Sequence, residues 1–152
     1  MKTIAQNKKA FHDYEILDKF EAGMALVGSE VKSIRAGRVS LKDAFVEILD
    51  GEAFLLRCHI SPYLEASIFN HEPERKRKLL LNRREIHRLD QKVKARGFSI
   101  VPLQVYMTDK GLFKIEIALV RGKREYEKKQ KLKERDIQRE MDRDVQRFKS
   151  KK

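Results

Sequence analysis

The sequence has few of the residues that carry covalent or metal chemistry. Among its 152 residues there is one cysteine, Cys58, which excludes an intrachain disulfide. The apolar neighbours of Cys58 predict a buried thiol that behaves as a small hydrophobic side chain. The four histidines are scattered, with no cysteine pair and no His-x-x-x-His spacing, so the sequence predicts no zinc site.

Long apolar runs are also missing. The longest uncharged stretch, 97–108, is much shorter than the roughly 20 apolar residues that span a bilayer. Residues 1–9 lack the apolar segment of a secretory signal peptide. These absences predict a soluble, cytoplasmic protein. Catalytic signatures are equally poor, because Ser29 stands where a phosphate-binding loop beginning at Gly23 requires lysine.

Basic residues, by contrast, are abundant. The chain carries 35 lysines and arginines against 23 acidic residues, a formal charge of +12. Thirteen of those basic and seven of those acidic residues lie in 123–152, so residues 1–122 and 123–152 each carry +6. We therefore expect both parts to contact a polyanion.

Apolar periodicity divides the first half of the chain into short elements. Residues 1–9 are polar and predict a loose basic arm, and 14–26 predict two strands separated by a bend at Gly23. Ser29 is a suitable cap for a short helix that ends at Gly37.

Turn and capping signals organise the residues that follow. Asp50-Gly51 lies between two apolar runs and predicts a tight hairpin turn. Asn82 and Glu85 resemble a capping box, which predicts a helix that stops at Gly97. Two more strands and the turn that joins them are predicted at 98–107, 112–119 and 109–111. Several strands without long strand–helix alternation predict a mainly antiparallel barrel with helices packed on it.

A dense basic segment covers 75–84, where six of ten residues are lysine or arginine. It continues as a ridge along the predicted helix, formed by Arg84, Arg88, Lys92 and Arg96. Charged helix faces are ordinarily solvated, but this density favours phosphate binding through release of counterions. The aromatic residues at strand spacing favour the core over stacking on bases, and these are Phe11, Tyr14, Phe20, Tyr63, Phe98 and Tyr106.

The segment 123–152 has neither glycine nor proline and contains a four-residue repeat. In a helix, the repeat places a row of arginines roughly opposite one apolar ridge. The arginines are Arg135, Arg139, Arg143 and Arg147, and the ridge is Ile137, Met141 and Val145. That ridge is one residue wide, too narrow to bury the helix against a core. We therefore expect a helix that forms on a polyanionic partner.

Several segments resemble one family closely. They are Asn7-Lys8-Lys9-Ala10, His12-Asp13-Tyr14, Phe20-Glu21-Ala22-Gly23, Glu30-Val31-Lys32-Ser33-Ile34-Arg35-Ala36-Gly37, Arg77-Lys78-Leu79-Leu80-Leu81, Val101-Pro102-Leu103 and Gly122-Lys123. In this order and over essentially the whole chain, they are similar to the SsrA-binding proteins (small protein B), partners of transfer-messenger RNA in bacterial ribosome rescue.

The resemblance implies a mainly β fold with α-helices, namely a six-stranded antiparallel barrel of the oligonucleotide-binding type with three helices. It implies an RNA-binding domain at 1–122 and a basic tail at 123–152 that is disordered when free and helical on the ribosome. No cofactor and no catalytic activity are implied. The alternatives are a small RNA-processing nuclease and a membrane-surface protein, although the tail lacks tryptophan for the latter.

Transfer-messenger RNA would be gripped at its tRNA-like domain, by shape and backbone more than by sequence. The basic segment and the resemblance together predict the RNA-binding residues Asn7, Lys8, Glu21, Arg77, Lys78, Leu80 and Lys114. Lys8 and Lys114 suit phosphates, whereas Glu21 accepts from a base amine or a 2′-hydroxyl, or orients a lysine. Leu80 is either a contact residue or part of the core.

The resemblance also implies that the tail occupies the decoding site and the empty messenger channel. The predicted ribosome-binding residues are Lys123, Arg124, Tyr126, Glu127, Lys128, Lys129, Arg135, Ile137, Arg139, Met141 and Arg143. Tyr126 is expected to stack on a decoding-site base. Glu127 and Lys129 stand where the family often has aspartate and arginine, and lysine lacks the planar fork of arginine.

Overall fold

Six antiparallel strands close into a ring in the computed structural model, which describes residues 1–63, 70–95 and 97–122. Residues Met1–Gly122 form one compact unit. The strands are β1 (Lys2–Gln6), β2 (Tyr14–Met24), β3 (Val39–Ser40), β4 (Phe45–Leu49), β5 (Glu52–Leu56), β6 (His59–Ile60), β7 (Arg77–Leu80), β8 (Phe98–Met107) and β9 (Phe113–Gly122). The helices are α1 (Lys8–Asp13), α2 (Gly28–Arg35) and α3 (Arg83–Val93).

The ring runs β8-β4-β5-β7-β2-β9 and returns to β8, with β1 paired to the other side of β8 and β3 paired with β6 in a small separate sheet. All these pairings are antiparallel. Within the described part of the chain, the predicted six-stranded barrel with three helices is therefore confirmed.

Apolar side chains of alternate strand residues fill the ring. Leu55, Leu79, Ile100, Ile115 and Ile117 are at most 1% exposed and belong to one core cluster. Cys58 lies in the same cluster at 1% exposed, so the prediction of a buried thiol is confirmed. Burial is the main cause that raises the pKa of this thiol to about 12.

A second, smaller cluster lies where α1 packs on β8 and β9, and its members are Ala10, Val101, Leu103, Ala118 and Val120. The cluster buries these residues outside the ring, separately from the main core. Each face of β8 and β9 is thus apolar for part of its length.

Two local predictions match the structure closely. Asp50 and Gly51 have φ of 51° and 75° between β4 and β5, the left-handed pair that a type I′ hairpin turn requires. Asn82 caps α3, because its Oδ1 accepts from the Glu85 N–H at 2.9 Å. Helix α3 ends at Val93, before Gly97.

Three other local predictions were wrong. Residues 1–9 are not a loose arm but form β1 and the start of α1. Their polar sequence gives no local strand signal, and β1 forms because it pairs with the distant strand β8. Residues 14–24 form one continuous strand, since Gly23 pairs on both sides and does not bend the chain. Ser29 lies inside α2 and not at its cap, and its Oγ is 2.8 Å from Nδ1 of the buried His71.

Candidate nucleic-acid interface

Four neighbouring strands, β7, β2, β9 and β8, present one continuous outer face. Leu80 lies opposite Gly23, Gly23 opposite Lys114, and Lys114 opposite Tyr106. Directly opposed residues of antiparallel strands project from the same side of a sheet. The pairing therefore brings three predicted RNA-binding residues, Leu80, Lys114 and the nearby Glu21, to this outer face.

Gly23 leaves room at the centre of the outer face. A Cβ at Gly23 would lie 3.3 Å from Cβ and Cδ1 of Leu80, so the leucine side chain packs closely on the glycine backbone. Leu80 is nevertheless 55% exposed, whereas the preceding Leu79 is 1% exposed. The contact alternative for Leu80 is thus the one that its exposure supports. Gly23 was missed as part of the site because glycine carries no side-chain signal.

Replacing Leu80 with alanine is expected to weaken RNA binding while the thermal melt changes little, because the side chain is mostly in solvent. Leu79→Ala is the matched control, and it should cost about 2–5 kcal/mol of unfolding free energy, as buried leucines do. Chemical unfolding and RNA titration of both variants check this. A large loss of stability for Leu80→Ala would contradict it.

Glu21 is exposed on β2, and its Oε2 accepts a hydrogen bond from the hydroxyl of Tyr106. Tyr106 is 5% exposed, so the predicted burial of its ring is confirmed, although the ring lies on the outer side of the strands and belongs to neither core cluster. Burial, then the hydrogen bond and charge of Glu21, and last the charge of Glu116 raise the pKa of the Tyr106 hydroxyl. The hydroxyl therefore stays protonated and acts as a donor.

Lys8 is exposed at the first position of α1, beside a well-anchored asparagine. Asn7 is only 4% exposed, and its Oδ1 accepts from the Ala10 N–H at 3.2 Å while its Nδ2 donates to the Pro102 carbonyl at 2.9 Å. These bonds cap α1 and tie it to β8. The Asn7 side chain is thus bonded within the protein directly before Lys8, and its contact with RNA stays a prediction.

Arg77 is fully buried and bonded inside the protein, and its contact with RNA stays a prediction that this burial does not favour. Its Nε donates to Glu30 Oε2 at 2.5 Å, and its Nη1 donates to the Cys58 carbonyl at 2.6 Å. Arg75 donates from Nη2 to Glu30 Oε1 at 2.6 Å. Two arginines of the basic segment thus neutralise a carboxylate that is itself 0% exposed. Their role is to hold α2 against β7.

Lys78 is exposed on β7 and points to the same side as Leu80. Its Nζ lies 3.1 Å from Glu52 Oε1, and both side chains are about half exposed. On α3, Arg84, Arg88 and Lys92 are exposed, and Arg88 pairs with Asp18 at 3.0 Å.

Among the aromatic residues, Phe11 departs from the core prediction because it is 50% exposed on α1.

Within residues 1–63, 70–95 and 97–122, no group of three or more histidine, cysteine, aspartate or glutamate residues is arranged to hold a metal ion. In the same ranges, none of the helices has the length and apolar character to cross a membrane. The predicted ribosome-binding residues lie outside the described part and stay predictions, from Lys123, Arg124 and Tyr126 onward to Arg143.

Comparison with known proteins gives a consistent result. The model of the family described as SmpB protein matches residues 4–147. An SsrA-binding protein of Symbiobacterium thermophilum is 56% identical over 138 residues, which are 91% of this chain and 87% of the relative. The SsrA-binding protein of Enterococcus hirae is 54% identical over 147 residues, covering 97% and 95% of the two chains.

Among solved structures, a chain described under "tmRNA-SmpB: a journey to the center of the bacterial ribosome" superposes with a TM-score of 0.68. It is 45% identical, and the match covers 82% of this chain and 91% of that one. The same barrel thus occurs in a protein of closely similar sequence. Since the family model spans nearly the whole sequence and both relatives are more than half identical to it, the chain belongs to the SmpB protein family.

Proposed function

We propose that this protein is a non-catalytic adaptor that binds the tRNA-like domain of transfer-messenger RNA and delivers it to stalled ribosomes for trans-translation. The observation that carries the proposal is the cross-strand row of Leu80, Gly23 and Lys114 beside Glu21, on the barrel of a chain whose relatives are SsrA-binding proteins. Ribosomes are cytoplasmic, and we place the protein there.

The outer face supplies three kinds of contact. Lys114, and Lys8 at the start of α1, supply positive charge for phosphates. Leu80 offers an exposed apolar surface for a sugar or a base, and Glu21 offers an acceptor for a hydroxyl or an amine. A surface of this composition recognises the shape of a folded RNA more than a base sequence.

The tail, 123–152, is proposed to occupy the decoding site and the empty messenger channel. Its arginine row, Arg135, Arg139 and Arg143, faces ribosomal RNA phosphates, and Ile137 and Met141 pack on an apolar partner. Tyr126 stacks on a decoding-site base beside Lys123 and the pair Lys128-Lys129. Contact with a polyanion offsets the conformational entropy that the tail loses when it folds into a helix.

Titration of the tRNA-like domain with the full chain at several salt concentrations tests the proposed RNA-binding domain, residues 1–122. With about 4 to 6 phosphate contacts, we expect a log–log slope of roughly −3 to −5. Lys114→Ala and Lys8→Ala should weaken binding and flatten the slope without changing the melt. Lys94→Ala, which removes the same charge from the end of α3, is the control.

A dissociation constant that does not depend on salt, or equal effects of Lys114→Ala and Lys94→Ala, would contradict the phosphate contacts. The same samples test the absence of catalysis, because labelled RNA should remain intact with and without magnesium.

A further inference from the structure

The hydroxyl of Tyr106 reaches across one strand of the outer face. Tyr106 lies on β8 and Glu21 on β2, and both strands flank β9. Neighbouring strands are about 4.8 Å apart, so a bond between β8 and β2 spans close to twice that distance between backbones. The phenol must therefore lie over β9, where Lys114 and Glu116 are the outward residues opposite Tyr106 and Glu21.

The position of Glu21 is unfavourable without such a donor. Glu21 lies directly opposite Glu116, and like charges at opposed positions of antiparallel strands repel each other. An exposed glutamate also samples several rotamers, which it loses when it binds. The Tyr106 hydroxyl counters both effects, because it donates to one oxygen of Glu21 from a ring that is itself almost fully buried.

We propose that Tyr106 is a positioning residue for RNA binding, which fixes Glu21 Oε2 so that Oε1 is presented to a hydrogen-bond donor of the RNA. An ionised carboxylate only accepts hydrogen bonds, so the RNA group is a 2′-hydroxyl or an exocyclic amine and not a phosphate. The inference rests on the proposed function and adds to it the class of RNA group that Glu21 recognises on the outer face.

Tyr106→Phe is the direct test, because it removes the hydroxyl and keeps the packed ring. Ordering one long side chain in advance corresponds to an affinity gain of about 2- to 12-fold. We expect the variant to bind the tRNA-like domain weaker by that factor with a nearly unchanged melt. Tyr14→Phe, which removes a hydroxyl from the half-buried Tyr14 beside the second cluster, should leave affinity unchanged.

A double-mutant cycle separates positioning from a merely structural role. In a Glu21→Ala background, Tyr106→Phe should cause no further loss of affinity, because the group that it orients is gone. An equal loss in both backgrounds, or no loss in the unmodified protein, overturns the inference. If Lys114→Ala still weakens binding in those cases, the proposed function survives while the role of Tyr106 does not. Failure of the unmodified protein to bind the RNA defeats both.

Modified RNA identifies the donor. Single 2′-deoxy substitutions remove a hydroxyl, and inosine in place of guanosine removes an exocyclic amine. Purine riboside in place of adenosine and 4-deoxy-cytidine analogues remove the other exocyclic amines. We expect one substitution to weaken binding to the unmodified protein and to have no effect on Glu21→Ala. If every substitution affects both proteins equally, Glu21 accepts from neither a 2′-hydroxyl nor an exocyclic amine and the assignment is wrong.

Discussion

Truncation after Gly122 is expected to abolish peptide tagging on stalled ribosomes while the shortened protein still binds free transfer-messenger RNA. The physical reason is the separation of roles, because Met1–Gly122 forms a compact unit with its own core and contains the outer face. The tail carries half of the net charge but only a narrow apolar ridge. Tagging in a reconstituted translation system and RNA titration are the two measurements.

A point variant controls for the simple loss of thirty residues. Met141→Pro removes one backbone donor and clashes with the preceding helical turn, a cost of about 3 kcal/mol to a helix. It should impair tagging while charge and length are preserved. Full tagging by the truncated protein would remove the tail from the mechanism, whereas full tagging by Met141→Pro alone would remove only its helical form.

Glu30→Ala is expected to destabilise the barrel by about 3–5 kcal/mol, as the loss of one partner from a buried ion pair does. The substitution leaves the guanidinium of Arg77 charged, 0% exposed and without its carboxylate. Urea unfolding measures the change. Glu52→Ala, which breaks the half-exposed pair with Lys78, is the matched control and should cost less than about 1 kcal/mol. Similar losses for the two variants would show that burial of the pair is unimportant.

The stabilisation that the buried Glu30–Arg77 pair provides depends on pH. Burial alone would raise the pKa of Glu30, but hydrogen bonds from Arg75, the Val27 N–H and Arg77 outweigh it and lower the pKa from its ordinary value of 4.5. A depressed native pKa stabilises the fold fully above that ordinary value, and the contribution is lost as pH falls through the native pKa. The stability difference between the protein and Glu30→Gln should therefore shrink on acidification below about 4.5.

Local chemistry explains which elements were predictable. The turn at Asp50-Gly51 and the cap at Asn82 depend on a few adjacent residues, so their signals are present in the sequence itself. Strand β1 depends on pairing with β8, about a hundred residues away, and its own polar composition gives no sign of that partner. Gly23 was misread for a different reason, because a glycine within a strand pattern indicates either a bend or a close approach of another residue.

The features of the candidate interface also differ in how far the sequence could predict them. Charge density identified the basic segment but could not show that Arg77 has a buried acidic partner 47 positions earlier in the chain. Glu21 and Lys114 came from the family resemblance, and the strand register then placed them together. Aromatic spacing correctly predicted that the Tyr106 ring is buried, but spacing carries no information about where a hydroxyl points.

Strand β7 is four residues long, and its side chains alternate between the interior and the solvent, with Arg77 and Leu79 inside and Lys78 and Leu80 outside. A slip of one residue would exchange the two sets. Because Arg77 is anchored by Glu30, the ion pair also fixes the register that keeps Leu80 on the outer face. Genetic screens for RNA-binding defects should therefore recover substitutions at Glu30, a residue that no solvent or RNA atom can reach in the folded protein.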